Sequence, residues 1–281
     1  MHIQWFPGHM TKALRMMEAN IKVIDSVIYV LDARAVNACF NPAFDKVIGN
    51  RPVLYVINKC DLVEAKDLNL WIKYFKDKNL PCIASNSASN RYVNQIIGEL
   101  INLNEDLIER YRERGVRRAV RAMVIGVPNT GKSTLINSLC KGKKTITGDR
   151  PGVTRGKQWI AIDERLELLD TPGTMSPNLE NQELAMHLAF IGSVNDDILD
   201  KHKLSLELIK TICHLDYLKL AKRYRLENEV KTAEELFDEI AKNRGLIVKG
   251  GEIDYDRAAN VIIDDFRKTR IGRIMLEYPD A

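Results

Sequence analysis

The 281-residue sequence is poor in cysteine and has no long apolar run. Its five cysteines are scattered and never spaced as CxxC, which argues against a disulfide framework and a zinc knuckle. The longest apolar runs, at 27–31 and 53–57, are about a quarter of what a membrane span needs. The first ten residues also lack the pattern of a secretory signal. We therefore expect a cytoplasmic protein with no membrane partner.

The sequence also lacks a strong excess of either charge. It has 42 basic and 38 acidic side chains, a net of +4, which permits contact with nucleic acid without requiring it. All of this excess lies between 110 and 121, where six arginines and a single acid, Glu113, give +5, so that the rest of the chain sums to −1. Such density is typical of phosphate contacts, although a solvated helix face is the simpler alternative. The candidate RNA-binding residues are Arg110, Arg112, Arg114, Arg117, Arg118 and Arg121.

Short β-branched runs alternate with helical patterns through the first two thirds of the chain, which predicts an α/β fold with a mostly parallel sheet. The predicted strands are 27–31, 53–57, 82–85, 123–127, 158–162 and 166–169, the last two forming an edge hairpin. The helices between them are predicted at 67–78, 93–110 and 132–140. Beyond Gly173 only helical patterns occur, at 183–191, 204–223, 233–242 and 255–267. We expect two domains, 1–177 and an all-helical 178–281.

The strongest motif is Gly126-Val-Pro-Asn-Thr-Gly-Lys-Ser133, which follows a predicted strand and precedes a predicted helix. This is the phosphate-binding loop GxxxxGK[ST], for which a chance match in a chain of this length is on the order of 0.01. In such loops Lys132 reaches the β- and γ-phosphates and the Ser133 hydroxyl binds Mg²⁺. The expected phosphate contacts are Asn129, Thr130, Gly131, Lys132, Ser133 and Thr134.

Two further loops predict that the base is guanine. The sequence Asn58-Lys-Cys-Asp61 follows the second predicted strand and matches NKxD. In this motif Asp61 accepts hydrogen bonds from two donors that guanine has and adenine lacks, which disfavours an ATPase. Asn58 braces neighbouring loops, and the stem of Lys59 covers the base plane. After the third strand, Asn86-Ser87-Ala88 predicts a backbone N–H near Ala88 that meets the guanine O6.

A γ-phosphate sensor is predicted at Asp170-Thr-Pro-Gly173, after the last strand. Asp170 would hold Mg²⁺ through water, and the Gly173 N–H would bind the γ-phosphate. Thr154, between this motif and the phosphate loop, is the natural second hydroxyl ligand of Mg²⁺. By itself Thr154 has a simpler interpretation as a surface turn residue.

The order of these motifs is a circular permutation of the usual GTPase order. The chain runs NKCD, NSA, phosphate loop, Thr154 and DTPG, whereas ordinary GTPases begin with the phosphate loop. The permutation is allowed because all ligand loops still lie at the carboxyl ends of adjacent strands. The arginine-rich segment joins the old termini, and DTPG now leads directly into the helical region. A γ-phosphate bound at Gly173 can therefore bias the placement of that region.

The chain resembles the circularly permuted ribosome-assembly GTPases. The resemblance rests on the opening IQWFPGHM, Asp32-Ala33-Arg34, NKCD, GVPNTGKSTLIN, GDRPGVTR, LLDTPG and the stretch Asp264–Glu277. It implies a GTP hydrolase that binds GTP and GDP and acts in late assembly of the large ribosomal subunit, in contact with its rRNA. One departure is Thr174-Met175-Ser176, where the family usually has an apolar segment and a tryptophan.

Thr174 also occupies the position at which Ras-like enzymes carry the water-orienting glutamine, so we expect slow intrinsic hydrolysis. His9 resembles a family histidine proposed to orient water, although a polar residue at a helix start is an equal alternative. With His9, the predicted catalytic residues are Lys132 and Gly173. Asn129 resembles an asparagine that recruits K⁺ in related GTPases; the alternative is a simple turn residue.

Two functions remain open at this point. Hydrolysis, stimulated by the subunit and by K⁺, would drive release of the protein from a maturing large subunit. Alternatively, the protein is a GTP-dependent binding switch or scaffold on RNA, in which hydrolysis is incidental.

Overall fold

The computed structural model describes residues 8–140, 159–171, 181–227 and 231–279, with side chains from 14 onward except that of residue 90. The predictions for Thr154, Gly173, Thr174 and the domain boundary at 177 lie outside these residues. His9 lies in the first helix, but its side chain is outside the described part.

The centre of the described fold is a six-stranded sheet in the order β3-β2-β1-β4-β6-β5. The strands are β1 Ser26–Asp32, β2 Val53–Asn58, β3 Cys82–Ser85, β4 Val120–Ile125, β5 Trp159–Asp163 and β6 Leu166–Asp170. All neighbours are parallel except β5 and β6, which form an antiparallel hairpin at one edge. The mostly parallel α/β fold and the edge hairpin are therefore confirmed.

Helices account for most of the remaining described chain. Their bounds are α1 Gly8–Ile21, α2 Pro42–Ile48, α3 Ala65–Asp77, α4 Val93–Asn102, α5 Glu105–Glu113, α6 Lys132–Cys140, α7 Gln182–Phe190, α8 Lys201–Tyr224, α9 Ala233–Asn243 and α10 Tyr255–Arg267. No helix in the described ranges is both long and apolar enough to cross a membrane.

The structure corrects three details of the sequence prediction. The single helix expected at 93–110 is two helices, because Asn104 leaves helical geometry and its side chain donates to the Leu100 carbonyl at 2.8 Å. Helix α8 is kinked at Asp216, whose backbone is extended. The helical region also holds an isolated antiparallel bridge between Ile247 and Ile253. These differences arise from local hydrogen bonds that apolar periodicity does not report.

The sheet is buried on both faces, as alternate residues of β1 show. Val27, Tyr29 and Leu31 belong to one hydrophobic cluster, and Ile28 and Val30 belong to the other. Helices α4 and α6 cover the second face through leucines and isoleucines such as Ile96, Leu100, Leu135 and Leu139. The first face packs on α3, and its cluster continues into α7, α8, α9 and α10. The C-terminal helices therefore share a hydrophobic core with the sheet.

Polar contacts tie the C-terminal region to the sheet and order it internally. Near the end of the chain, Leu276 donates its backbone N–H to the Arg34 carbonyl at 2.8 Å, and the Trp71 indole donates to the Glu277 carbonyl at 3.1 Å. Arg267, at the end of α10, donates to the carbonyls of Phe190 and Ala189 at 3.0 and 2.8 Å. Its guanidinium also pairs with Asp196 at 2.7 Å. Arg267 thereby caps the carboxyl end of α7.

We predict that Arg267→Ala lowers the free energy of unfolding by about 2 kcal/mol, because two helix-end carbonyls and Asp196 lose their charged donor. Urea denaturation of the nucleotide-free protein measures this. Arg273→Ala is the matched control: Arg273 is an exposed arginine six positions later, and its loss should change stability by less than about 0.5 kcal/mol. Equal effects of the two variants would contradict the capping role.

Candidate nucleotide-binding site

The predicted nucleotide loops meet at one edge of the sheet, although they are far apart in sequence. Asp32 at the end of β1 is in register with Asn58 of β2, and Asn58 is in register with Ser85 of β3. On the other side of β1, β4 leads into the phosphate loop and β6 ends at Asp170. Parallel pairing therefore brings NKCD, NSA, the phosphate loop and Asp170 together despite the permuted order.

The phosphate loop needs glycine at two positions. Gly126 has φ +149, and a Cβ there would lie 2.5 Å from the Val30 carbonyl oxygen. Gly131 has φ +96, and a Cβ there would collide with the Asn58 amide. Any side chain at either position would displace the backbone of β1 or the NKCD motif. The loop therefore packs closely against β1 and Asn58, and it leads into the N-terminus of α6, which favours anions.

Lys132 is buried inside this loop. Its ammonium donates to the carbonyls of Gly126 at 3.1 Å and Val127 at 2.8 Å. Burial lowers the pKa of Lys132 from its usual 10.5 to about 8, and the negative charge of Asp170 only partly opposes this. Burial removes the water that would solvate the ammonium. An anionic ligand would stabilise the charged lysine, because it brings a compensating negative charge.

Asn58 holds three loops together. Its amide nitrogen donates to the Thr130 carbonyl of the phosphate loop at 2.7 Å. Its amide oxygen accepts from the Ser87 N–H at 2.9 Å and from the Ser87 hydroxyl at 2.6 Å. Since Asn58 is almost fully buried, each of these bonds satisfies a group that water does not reach. The two guanine loops and the phosphate loop are thus joined by one side chain.

The groups predicted to read the base lie at the open rim of this site. Asp61 is exposed, in the single 3₁₀ turn Cys60–Leu62 that follows β2. Ala88 is also exposed, and its N–H donates to the Asn86 side chain at 3.0 Å. A guanine O6 would therefore have to replace the Asn86 oxygen as the acceptor of this N–H.

Lys59 lies between the base loops and the phosphate loop. Its backbone is left-handed, with φ +58, and its ammonium donates to the Asn129 carbonyl. The same ammonium lies 2.9 Å from the buried carboxylate of Asp32. The sequence prediction assigned Lys59 to the base plane but did not identify Asp32 as its partner.

Asp170 has the properties of a cation ligand. One of its carboxylate oxygens is buried and has no hydrogen-bond partner in the described part of the protein. Desolvation raises the pKa of this carboxyl, while the charge of Lys132 and a backbone hydrogen bond act against the rise. A Mg²⁺ ion, directly or through its water, would satisfy the orphaned oxygen.

The remaining protein ligands fit a magnesium ion that is shared with a nucleotide. Ser133 is exposed at the start of α6, on the same edge of the sheet as Asp170. Within the described residues no cluster of three His, Cys, Asp or Glu side chains could hold a metal alone. The Ser133 hydroxyl and the Asp170 carboxylate are oxygen donors, which suit Mg²⁺, an ion that usually takes one or two protein ligands together with phosphates and water.

The turn that follows α7 is part of the site, and the sequence prediction missed it. Asn129 has a left-handed backbone, φ +61, and its amide nitrogen donates to the Gly192 carbonyl. The Ser193 hydroxyl donates to the Pro128 carbonyl at 2.7 Å. A glycine after a helical pattern indicates a helix end, but nothing in the sequence indicates that this end contacts the phosphate loop.

Two of the six arginines of the 110–121 segment form partly buried ion pairs, and the other four are exposed. Arg118 pairs with Asp25 at 2.8 Å and Arg121 pairs with Glu167 at 3.1 Å. Arg121 also lies over the ring of Trp159, which agrees with a packing role for that tryptophan. The other four arginines are exposed, on or just after α5: Arg110, Arg112, Arg114 and Arg117.

We predict that Lys132→Met stabilises the nucleotide-free protein by about 1–3 kcal/mol at pH 7 and abolishes nucleotide binding. Below pH 8 the folded wild type carries a buried charge on Lys132, which lowers its stability. Above pH 8 the folded protein releases this proton, whereas the unfolded chain keeps it up to about pH 10.5, so the wild type gains stability as the pH rises. The stabilisation should therefore shrink as the pH rises from 8 to 10.5.

Urea denaturation at several pH values between 7 and 10.5 measures this difference. The control is Lys66→Met on α3, which replaces an exposed lysine and should give no pH-dependent difference. A destabilised Lys132→Met variant at pH 7 would show that burial of this ammonium is fully compensated in the free protein.

Comparison with known proteins agrees with this geometry. A family model described as "50S ribosome-binding GTPase" matches residues 121–247. The chain is 38% identical over 281 residues to Ribosome biogenesis GTPase A of Bacillus licheniformis, covering 100% of this chain and 99% of that protein. It is 31% identical over 294 residues to Mitochondrial ribosome-associated GTPase 1 of Mus musculus, covering 98% of this chain and 90% of that protein.

Two solved structures are similar over almost the whole chain. A GDP-bound structure of TM YlqF has a TM-score of 0.71 at 25% identity, covering 95% of this chain and 100% of that one. A GNP-bound YlqF from T. maritima has a TM-score of 0.67 at 26% identity, covering 96% and 99%. The chain is thus similar to proteins that hold guanine nucleotides.

Proposed function

This chain belongs to the ribosome biogenesis GTPase A family and is a GTP hydrolase, and we propose that it acts late in the assembly of the large ribosomal subunit. Its relatives' names place them in ribosome biogenesis or on ribosomes, and the matching family model is described as binding the 50S subunit. The observation that carries the proposal is the junction at Asn58, which joins both guanine loops to the phosphate loop.

In the proposed complex the carboxylate of Asp61 accepts from guanine, and Asn58 and Lys59 keep its loop against the phosphate loop. The Ala88 N–H exchanges Asn86 for the guanine O6, with Ser87 held by Asn58. The phosphates lie in the loop formed by residues 126–133 and meet Asn129, Thr130, Gly131, Lys132, Ser133 and Thr134.

Magnesium would be held by Ser133, Thr154 and Asp170, and when bound it neutralises charge on the β- and γ-phosphates. The orphaned oxygen of Asp170 supports its place in this set. Lys132 donates to the phosphates from inside the loop, and the Gly173 N–H binds the γ-phosphate. His9 is proposed to orient the attacking water, because Thr174 occupies the position of the usual water-orienting glutamine.

Potassium is the proposed second cation, near Asn129. Because the amide nitrogen of Asn129 donates to the Gly192 carbonyl, the amide oxygen points away from that carbonyl. That oxygen is a potential ligand of a cation, which beside the phosphates would add positive charge during phosphoryl transfer. The left-handed backbone of Asn129, φ +61, also fits the alternative of a turn residue.

The proposed partner is a precursor of the large subunit and its rRNA, in the cytoplasm. Four arginines of the 110–121 segment are exposed and lie on the segment that closes the permuted GTPase circle. Exposed arginines at this density are suited to RNA phosphates. The helical region 178–281 is proposed as the second contact with RNA, placed by the segment that follows Asp170.

We predict that the protein remains bound to precursor large subunits with a non-hydrolysable GTP analogue and is released with GTP. The expected difference arises because hydrolysis removes the γ-phosphate that orders the Gly173 segment. Sedimentation of purified precursor subunits with the protein in each nucleotide state measures it. Release at the same rate with both nucleotides would favour the alternative, a GTP-dependent binding switch in which hydrolysis is incidental.

We predict that subunit-stimulated turnover depends on both His9 and K⁺. His9→Ala should lose at least about 10-fold in stimulated kcat and keep its GDP affinity, since only the water loses its orienting group. Wild-type stimulated turnover should be faster in KCl than in NaCl at equal ionic strength. Phosphate release measures both rates. A wild-type stimulated rate for His9→Ala would exclude His9 from the mechanism, and equal rates in KCl and NaCl would exclude K⁺.

A further inference from the structure

Asp32, the last residue of β1, is an acid with no exposed surface at the edge of the nucleotide site. Burial by itself opposes ionisation, but the charges and hydrogen bonds of Arg34 and Lys59 outweigh it and hold the pKa of Asp32 well below its usual range. A charged group in this position is retained only because two cations contact it. Both cations contact the same carboxylate oxygen, Oδ2.

Arg34 links Asp32 to the helical region, because its guanidinium also donates to the carbonyls of Arg267 and Ile191. Its guanidinium donates to both carboxylate oxygens, at 2.9 and 2.8 Å, and its backbone N–H donates at 3.1 Å. The guanidinium also lies 5.8 Å from the centre of the Phe266 ring. Since Arg34 is only 2% exposed, it fixes the plane of the Asp32 carboxylate.

Lys59 contacts Asp32 from the side of the nucleotide. Its ammonium lies 2.9 Å from the oxygen Oδ2 of Asp32 and donates to the carbonyl of Asn129 in the phosphate loop. The register of β1 with β2 places Asp32 opposite Asn58, the residue before Lys59. The Lys59 ammonium therefore contacts both the buried carboxylate of Asp32 and the phosphate loop.

We propose that Asp32 is a positioning residue of the nucleotide site, which holds the Lys59 ammonium against the phosphate loop. A free lysine side chain has many rotamers and prefers water, so a single carbonyl acceptor holds it weakly. A buried carboxylate of fixed orientation selects one of these rotamers before the nucleotide arrives. This proposal rests on one part of the proposed function, the binding of guanine nucleotides. It does not depend on binding to the ribosome.

The alternative is that Asp32 serves only as the counter-ion of Arg34 and supports the fold. In that case replacing Asp32 would lower stability, and any loss of nucleotide affinity would not depend on Lys59. The two interpretations therefore differ in the coupling between Asp32 and Lys59, which a double-mutant cycle measures.

The experiment is the affinity for fluorescent GDP of the wild type, Asp32→Asn, Lys59→Met and the double variant. We expect each single variant to bind GDP about 10-fold more weakly, and the double variant to be no weaker than the weaker single variant. Independent effects, with the double variant about 100-fold weaker, would overturn the proposal, as would an unchanged affinity of Lys59→Met.

Asp25→Asn is the matched control. Asp25 immediately precedes the other end of β1 and makes a partly buried pair with Arg118 at 2.8 Å, so its loss also breaks an ion pair. GDP affinity should be unchanged in this variant. An equal loss of GDP affinity in Asp25→Asn would show that any broken ion pair of this strand weakens the site and would overturn the assignment to Asp32.

If Asp32→Asn does not fold, because it leaves Arg34 buried without a counter-ion, the neutral pair Asp32→Asn/Arg34→Met replaces it. Adding Lys59→Met to that pair should change GDP affinity less than about 2-fold, since Lys59 is already unanchored. A further 10-fold loss would overturn the proposal. Because these measurements use GDP and no ribosome, their failure leaves the ribosome release experiment unaffected.

Discussion

Parallel pairing of β1 with both β2 and β4 is the constraint on which the rest of the structure depends. Because β1 lies between them, the loop after β2 and the loop after β4 open at the same edge of the sheet. The bond from Asn58 to the Thr130 carbonyl then spans 72 positions of sequence but only 2.7 Å. A circular permutation changes the order of these strands along the chain and leaves their adjacency intact, so the site survives it.

The buried charges of the site are paired in one part and incompletely paired in another. Asp32, Arg34 and Lys59 compensate one another in the free protein, with each buried charge in contact with an opposite one. Lys132 and Asp170 are different, because burial lowers the pKa of the lysine to about 8 and raises that of the carboxyl, and one Asp170 oxygen has no partner. A nucleotide with its cation supplies the charges that these two groups lack. The charges around Lys59 are therefore paired in the free protein, whereas those around Lys132 and Asp170 would be completed by the ligand.

The helical region contacts the phosphate loop directly. Helix α7 ends in the turn that contacts Asn129 and Pro128, and Arg267 from α10 caps the same helix end. A change in the phosphate loop therefore meets the C-terminal helices through direct contacts. Such contacts are one physical basis for coupling between the nucleotide site and these helices.

The sequence by itself determined the family, the mostly parallel sheet and the edge hairpin, because each depends on short patterns of residue type and spacing. It also predicted nucleotide loops, which parallel pairing brings to one edge of the sheet. The single helix predicted at 93–110 was wrong, since the backbone leaves helical geometry at Asn104, a break that apolar periodicity does not indicate. Only the tertiary structure decided that Asp32 supports Lys59, that Gly192 and Ser193 contact the phosphate loop, and that Arg118 and Arg121 are used in internal ion pairs. These contacts join residues that are distant in the chain, and their partners are chosen by strand adjacency and burial, which no local pattern contains.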